Sequence, residues 1–153
     1  METKTKLRWA TLGVGVIGHQ LADAMQALGG NLYAVGNRTH EKAVAFAKEY
    51  GIGKVYDHPE DMFADPDVDI VYISTPHNTH IKYLRQAPAA GKHVICEKPL
   101  TGYFGQPGSP NSGQTPKREM YIQVLRNLEE IRQAAQKAGK LVMYAENYIY
   151  ATP

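Results

Sequence analysis

The sequence predicts an α/β fold, a doubly wound and mostly parallel sheet of about six strands with helices on both faces. Short apolar runs alternate with amphipathic helical segments along almost the whole chain, and a glycine-rich turn joins the first strand to the first helix. Parallel strands need a crossover connection, which a helix normally supplies. The 153 residues suffice for a single domain with a buried core, and we predict no second domain within residues 1–153.

The amino-terminal half carries three predicted strands, at residues 7–12, 32–35 and 52–56, and three predicted helices. Apolar residues recur at helical spacing in the first two helices: Leu21, Ala24, Met25 and Leu28, then Ala43, Ala47 and Tyr50. Gly29-Gly30 end the first helix, whereas Thr39 caps the second and Gly51 closes it. The third helix is a brief one, at residues 59–64.

The carboxyl-terminal half continues the alternation, with strands predicted at residues 70–73, 93–96 and 141–145. A helix at 78–90 turns Ile81, Leu84 and Ala87 inward, and Pro88 should kink or shorten its last turn. Thr115 and Pro116 are predicted as the cap and first residue of a long helix that Gly139 ends. The buried stripe of that helix is predicted to be Met120, Val124, Leu128, Ile131 and Ala135.

Residues 102–116 interrupt this rhythm with a run of Gly, Pro, Ser and Asn. Loops of this length are often functional or lack a fixed structure. Tyr103 and Phe104 open the segment, so it either folds over a substrate pocket as a lid or remains disordered.

Composition and charge exclude several classes of partner. A formal net charge of +2 gives no field that would favour nucleic acid or an anionic membrane as the main partner. No apolar run approaches membrane-spanning length, and residues 1–9 lack the pattern of a secretory signal. The single cysteine, Cys96, cannot form an internal disulfide and is expected to be a buried thiol in a reducing compartment, by default the cytoplasm.

The glycine turn Gly13-Val14-Gly15-Val16-Ile17-Gly18 predicts a dinucleotide site of the Rossmann type. Gly13 permits the tight turn, Gly15 lets backbone N–H groups approach a pyrophosphate, and Gly18 allows the helix to lie close to the sheet. The phosphates would then lie at the positive end of that helix, together with Val16 and Ile17. His19 follows, either as a further phosphate contact or as a solvated side chain.

Asn37 and Arg38 stand at the end of the second strand, where NAD sites commonly carry an acidic residue that binds the adenosine ribose. Asparagine lacks the charge that would repel a 2′-phosphate, and Arg38 can pair with that phosphate or stack on adenine. We therefore predict NADP as the preferred cofactor, with NAD as the alternative.

Two further segments follow the fourth and fifth strands, on the side of the sheet where open α/β folds bind ligands. The first holds Ser74, Thr75, Pro76, His77 and His80; the second holds Glu97, Lys98 and Pro99. Lys98 can hydrogen-bond a substrate hydroxyl and stabilise a developing alkoxide, so it is the one predicted catalytic residue. The two histidines have a spacing that fits one helical face, but no nearby Cys or carboxylate completes a metal shell, and we predict no metal.

The glycine turn, Ser74-Thr75-Pro76-His77-Asn78-Thr79-His80 and Gly91-Lys92-His93-Val94-Ile95-Cys96-Glu97-Lys98-Pro99-Leu100 together resemble the amino-terminal domain of the Gfo/Idh/MocA oxidoreductase family. Tyr144-Ala145-Glu146-Asn147-Tyr148 is similar to the family strand that leads into the substrate domain, and the loop at 102–116 has no usual counterpart.

The resemblance implies hydride transfer between NAD(P) and a sugar, polyol or related hydroxyl compound. It also implies that Ser74, Thr75, Pro76, His77 and His80 line the cofactor, that Lys98 reaches toward nicotinamide and substrate, and that Pro99 is often cis. The family's carboxyl-terminal substrate domain is absent from residues 1–153, so we expect part of a longer enzyme that is inactive alone and forms homo-oligomers only at full length. A non-catalytic NAD(P)-binding module that docks a partner or reports redox state is the alternative; a methyltransferase fits neither Asn37-Arg38 nor the Glu-Lys-Pro motif.

Overall fold

A computed structural model describes residues 7–105 and 112–146, and this part of the chain contains one parallel sheet flanked by helices. The strands are Trp9–Leu12 (β1), Leu32–Gly36 (β2), Lys54–Tyr56 (β3), Ile70–Ile73 (β4), His93–Glu97 (β5) and Val142–Ala145 (β6). The helices are Val16–Ala27 (α1), His40–Tyr50 (α2), Pro59–Ala64 (α3), His80–Ala89 (α4) and Lys117–Ala138 (α5). The strand order is β3-β2-β1-β4-β5-β6, and every pair is parallel. The predicted doubly wound α/β fold is confirmed.

Each face of the sheet has its own apolar core. On one face, Ala22 of α1 and Phe46 of α2 pack with Val35 of β2. On the other face, side chains of α3, α4 and α5 cover the inner strands, with Leu84 and Ile131 among the buried residues. Neighbouring strand residues point to opposite faces, which explains why Ala34 and Val35 belong to different cores.

The chain winds outward from β1 in both directions, so β1 has β2 on one side and β4 on the other. The connections after β1 and β4 therefore leave the sheet on opposite faces and open a crevice between them. Loops that follow β2, β1, β4 and β5 lie side by side along the carboxyl edge of the sheet. These are the four loops that carry the predicted site.

Several predicted strand boundaries are wrong by one or two residues. β1 begins at Trp9 instead of residue 7, β3 at Lys54 instead of 52, and β6 at Val142 instead of 141. Leu7 and Leu141 are apolar and therefore looked like strand residues. They lie outside the paired part of their strands, and their side chains are 46% and 64% exposed. β2 and β5 each extend one residue further than predicted, to Gly36 and Glu97, where pairing with neighbours continues.

Helix α1 buries a different face from the one that its apolar spacing suggests, whereas the predicted stripe of α5 is wrong only at Leu128. Gly18 and Ala22 are the buried residues of α1, whereas Leu28 is 85% exposed, because only small side chains fit where this helix approaches the sheet closely. In α5, Leu128 is exposed and Asn127 is buried, since the Asn127 amide binds the segment after β5.

The predicted helix ends also differ from the structure in detail. Pro116 is the N-cap of α5, so the predicted cap at Thr115 is wrong by one residue. Thr39 is the N-cap of α2, as predicted, but its side chain makes no capping hydrogen bond. A 3-10 turn, His77–Thr79, precedes α4, and Pro88 lies within the last turn of that helix without ending it.

A polar network joins the elements near the amino ends of the strands. Asp65, at the end of α3, accepts hydrogen bonds from Lys54 at 2.7 Å and from Tyr56. Burial by itself raises the pKa of this carboxyl, but the bonds from Lys54 and Tyr56 outweigh burial and leave the pKa well below its usual value. Lys92 donates to the backbone carbonyls of Asp65 and Val68, and burial lowers the pKa of its ammonium.

None of the helices in residues 7–105 and 112–146 is long and apolar enough to cross a membrane.

Candidate dinucleotide site

The three glycines of the first turn each meet a different steric requirement. Gly13 has φ of +109°, and a Cβ atom there would lie 2.8 Å from the carbonyl oxygen of Ser74. A Cβ atom on Gly18 would lie 2.6 Å from the carbonyl oxygen of Gly13. Gly15 differs, because a Cβ atom there would meet no atom within 4 Å. Gly13 and Gly18 are therefore required by the protein's own packing, whereas Gly15 faces space that a ligand can use.

The amino end of α1 adjoins that space. Gly15 is the N-cap and provides no side-chain hydrogen bond, and the first turn contains no acidic residue. The first backbone N–H groups of a helix have no partner within the helix, and the helix dipole favours an anion beside them. An uncapped turn next to a side-chain-free Gly15 fits a pyrophosphate, and Gly13, Gly15, Val16, Ile17 and Gly18 are the residues that would hold it.

His19 lies beside this turn but is held by α2. Its Nδ1 atom is 3.0 Å from the Tyr50 hydroxyl, and its ring contacts Phe46 edge-on at a centroid distance of 4.9 Å. Tyr50 in turn donates to Asp23 at 3.1 Å, so Nδ1 of His19 is the donor to the Tyr50 oxygen. The phosphate contact considered for His19 remains a prediction.

Asn37 and Arg38 form the loop between β2 and α2. The amide nitrogen of Asn37 donates to the carbonyl oxygen of Thr39 at 3.1 Å, which holds the loop in place. Arg38 is exposed, and within the described part of the chain its guanidinium forms no ion pair. Its donors are therefore available to a ligand at the carboxyl end of β2.

The loop after β4 is tied to the glycine turn. The backbone N–H of Ser74 donates to Leu12 at 2.9 Å, and its hydroxyl lies 3.3 Å from the carbonyl oxygen of Gly13. Thr75 and Thr79 join their hydroxyls at 2.7 Å, and Pro76 and His77 remain exposed at the rim.

His80, the first residue of α4, is completely buried. Its Nδ1 atom is 2.8 Å from the carbonyl oxygen of Pro99, and its Nε2 atom is 2.9 Å from that of Thr75. Both ring nitrogens thus face the protein's own backbone, and the structure gives His80 no free nitrogen for a cofactor.

The Glu-Lys-Pro segment separates its two charged side chains. Glu97 is 8% exposed and accepts a hydrogen bond from the hydroxyl of Tyr72 on β4. Its second oxygen is 3.3 Å from the backbone N–H of Lys98. Burial and the bond to Glu97 raise the pKa of Tyr72. Lys98 itself is exposed, its side chain makes no ion pair within the described residues, and the Lys98-Pro99 peptide bond is cis.

Cys96 precedes this segment and is fully buried, as predicted. Burial and the neighbouring Glu97 raise the pKa of its thiol to about 12. The thiol is therefore protonated at neutral pH and is not a nucleophile.

Two residues that the sequence analysis missed support the Lys98 segment. Tyr72 binds Glu97, and Asn127 donates to Thr101 at 3.1 Å and to the carbonyl oxygen of Gly102 at 3.3 Å. Asn127 stands in the apolar stripe of α5 between Val124 and Ile131, and a polar residue at such a position is a signal of a buried hydrogen bond. Tyr72 gave no comparable signal, because its partner is 25 residues away.

The loop at 102–116 lies only partly within the described residues. Tyr103 joins its hydroxyl to that of Thr115 at 3.0 Å, and residues 112–114 form a 3-10 turn. The lid proposed for Tyr103 and Phe104 remains a prediction, and residues 106–111, like Asn147 and Tyr148 of the last family motif, lie outside the described residues.

The Gfo/Idh/MocA family model, described as an oxidoreductase family with an NAD-binding Rossmann fold, matches residues 7–106. The chain belongs to this family. The match contains all four site loops, and the predicted family is confirmed.

Curated relatives of this Gfo/Idh/MocA domain are oxidoreductases. The chain is 40% identical over 94 residues to 1,5-anhydro-D-fructose reductase of Ensifer adhaerens, an alignment that covers 61% of this chain and 28% of the relative. It is also 40% identical over 91 residues to D-xylose 1-dehydrogenase (NADP(+)) 2 of Haloferax volcanii, covering 60% and 27%. The matched segment thus spans under a third of the length of these relatives.

A solved structure, an NAD binding oxidoreductase from Klebsiella pneumoniae, superimposes with a TM-score of 0.74 at 30% identity. It covers 95% of this chain and 36% of that protein. The chain is therefore an NAD(P)-binding Rossmann domain of an oxidoreductase family whose relatives include sugar dehydrogenases and reductases.

Proposed function

We propose that this domain binds NADP(H), with NAD(H) as the weaker alternative, for hydride transfer to or from a sugar, polyol or related hydroxyl compound. One observation carries the proposal: the uncapped amino end of α1 and the side-chain-free Gly15 border open space at the carboxyl edge of the sheet, the edge at which Lys98 follows β5. The domain would supply the cofactor site and Lys98, and further residues of the full-length protein would complete the substrate pocket. This division agrees with the 27–28% of each curated relative that the match covers.

Lys98 is the residue that we assign to catalysis. A bound nicotinamide ring supplies the hydride or accepts it. The Lys98 ammonium would donate a hydrogen bond to the reacting hydroxyl oxygen and stabilise negative charge that develops there. Glu97 supports this role indirectly, since its buried carboxyl group accepts hydrogen bonds from Tyr72 and from the Lys98 backbone and does not pair with the Lys98 ammonium. The ammonium keeps its charge free for the substrate.

The substrate class rests on relatives. The two curated relatives are named for action on 1,5-anhydro-D-fructose and D-xylose, both polyhydroxylated rings. We propose a substrate of the same class, and homo-oligomers only for the full-length protein. The buried and unpaired Cys96 agrees with a reducing compartment such as the cytoplasm.

The preference for NADP(H) rests on Arg38 and Asn37. Arg38 is exposed and unpaired within the described residues, which leaves its planar donors free for a 2′-phosphate. Asn37 carries no charge that would repel this phosphate. The relative from Haloferax volcanii carries NADP(+) in its name, whereas the Klebsiella pneumoniae structure is titled NAD binding, so the preference requires a direct test.

A fluorescence titration of the chain with NADPH and NADH tests the proposal. NADPH should bind more tightly, and Arg38→Ala should weaken NADPH by about 10-fold, the loss expected for one exposed charge-assisted hydrogen bond, while NADH changes little. Arg126→Ala, at another exposed arginine on α5, is the matched control. Absence of binding by either cofactor would contradict the dinucleotide site, and equal affinities would contradict the NADP(H) preference.

The alternative of a non-catalytic NAD(P)-binding module makes a different prediction. A full-length protein of that kind would bind NADPH without oxidising or reducing any polyol. No feature of the described residues favours this alternative.

A further inference from the structure

His80 links the loop after β4 to the segment that carries Lys98. One ring nitrogen is 2.9 Å from the carbonyl oxygen of Thr75, in the loop after β4. The other is 2.8 Å from that of Pro99, the residue after Lys98. Within residues 7–105 and 112–146, His80 is the side chain that bonds to both loops. A buried ring with two such bonds fixes the separation of the loops.

The surroundings of the ring leave it little freedom to move. His80 is completely buried, and each of its two ring nitrogens lies within hydrogen-bond distance of a backbone carbonyl oxygen. The His77 ring lies beside it at a centroid distance of 5.7 Å. The ring therefore occupies a fixed place between the two loops.

The link extends from the glycine turn to Lys98. The Ser74 hydroxyl binds the carbonyl oxygen of Gly13, and Thr75 follows Ser74 directly. His80 then joins Thr75 to Pro99, and Pro99 follows Lys98 directly. A displacement of the His80 ring would change the distance between the phosphate turn and the Lys98 ammonium without breaking either segment.

We propose that His80 is a positioning residue that holds the loop after β4 and the Lys98 segment at the separation needed by the nicotinamide half of the cofactor. This inference rests on the proposed function, because it assigns a purpose to the spacing between two parts of that site. It predicts that loss of one His80 bond affects the nicotinamide end of a bound dinucleotide more than the adenosine end.

The test compares NADPH with 2′-phospho-ADP-ribose, which lacks the nicotinamide ring, on wild type and His80→Gln. We expect His80→Gln to weaken NADPH by about 3–10-fold, the effect of one hydrogen bond, and to leave 2′-phospho-ADP-ribose within about 2-fold of wild type. His58→Gln changes an exposed histidine away from these loops and serves as the control. Thermal denaturation of each variant shows whether it is folded.

The outcomes separate this proposal from the proposed function. Equal losses for both ligands, or no loss for either, would overturn the positioning role of His80. Wild-type chain that binds neither ligand would contradict the dinucleotide site itself. Nitrogen-15 NMR of wild type provides a test that needs no variant: a hydrogen on the His80 ring should be visible and should exchange slowly with water, and rapid exchange would overturn the buried link.

Discussion

Replacing Gly13 by alanine adds one methyl group at the most crowded point of the glycine turn. The backbone there has φ of +109°, a conformation that residues other than glycine rarely adopt. The added carbon would also lie 2.8 Å from the carbonyl oxygen of Ser74 and 2.9 Å from its carbonyl carbon. Ser74 cannot move away freely, because its backbone N–H is bonded to Leu12 at 2.9 Å.

The two effects give the expected magnitude. A strained backbone conformation costs about 1–3 kcal/mol, and an overpacked contact costs about as much again. Gly13→Ala should therefore lower the free energy of unfolding by about 2–6 kcal/mol. A domain of this kind has only about 5–15 kcal/mol in total, so the loss is a large fraction of its stability.

Urea denaturation of three alanine variants separates the effects. Gly51→Ala has positive φ but open space around the added carbon, so it should cost only about 1–2 kcal/mol. Gly15→Ala has neither strain nor contact, so its stability should equal or slightly exceed that of wild type. NADPH binding should be lost, because the methyl group would occupy the space that we propose for the phosphates. If Gly13→Ala were no less stable than Gly51→Ala, the close contact with Ser74 would not be real.

Three further predictions concern charge and reactivity. In the full-length protein, Lys98→Ala should lower kcat for polyol oxidation at least 100-fold while NADPH affinity measured by titration changes little, and the reverse pattern would remove Lys98 from catalysis. Asp65→Asn should lower the free energy of unfolding at pH 7 by about 1.5–3 kcal/mol. Because folding lowers the pKa of Asp65, its contribution to the free energy of unfolding is present above about pH 4 and is lost as the pH falls below that value. The urea midpoints of wild type and Asp65→Asn should therefore converge in acid. Midpoints that stay apart would contradict the network of bonds assigned to this carboxylate. Burial raises the pKa of Cys96 to about 12, so the folded chain should react only slowly with a disulfide reagent. In denaturant the reagent should titrate one thiol per chain. Rapid reaction of the folded protein would show that the thiol is accessible.

The elements that were predicted best have signals that do not depend on distant partners. β4 is a continuous apolar run that ends before Ser74-Thr75-Pro76, and α3 begins at a proline followed by acidic residues. Both have the predicted bounds. Strand ends such as those near Leu7 and Leu141 were less predictable, because backbone pairing ends a strand even where apolar residues continue.

In the candidate site, too, features with local sequence signals were predicted and features that depend on distant partners were not. The glycine turn and the Glu-Lys-Pro segment are local patterns, so their place at the carboxyl edge of the sheet followed from the strand and helix alternation. The directions of Glu97 and His80 did not, because their partners, Tyr72 and Pro99, are 25 and 19 residues away. A sequence pattern identifies such residues as polar and near the site, but only the folded chain shows which atoms they contact.

Asn127 gives the long α5 helix a task beyond covering the sheet. Its amide donates a hydrogen bond to Thr101, just after Leu100, while the His80 ring at the start of α4 contacts the carbonyl oxygen of Pro99, just before it. The two helices are joined by an ion pair between Arg85 of α4 and Glu130 of α5. The backbone from Pro99 to Gly102 is thus anchored to two helices that are themselves joined, so the residue just before it, Lys98, extends its side chain into solvent from a firmly held backbone.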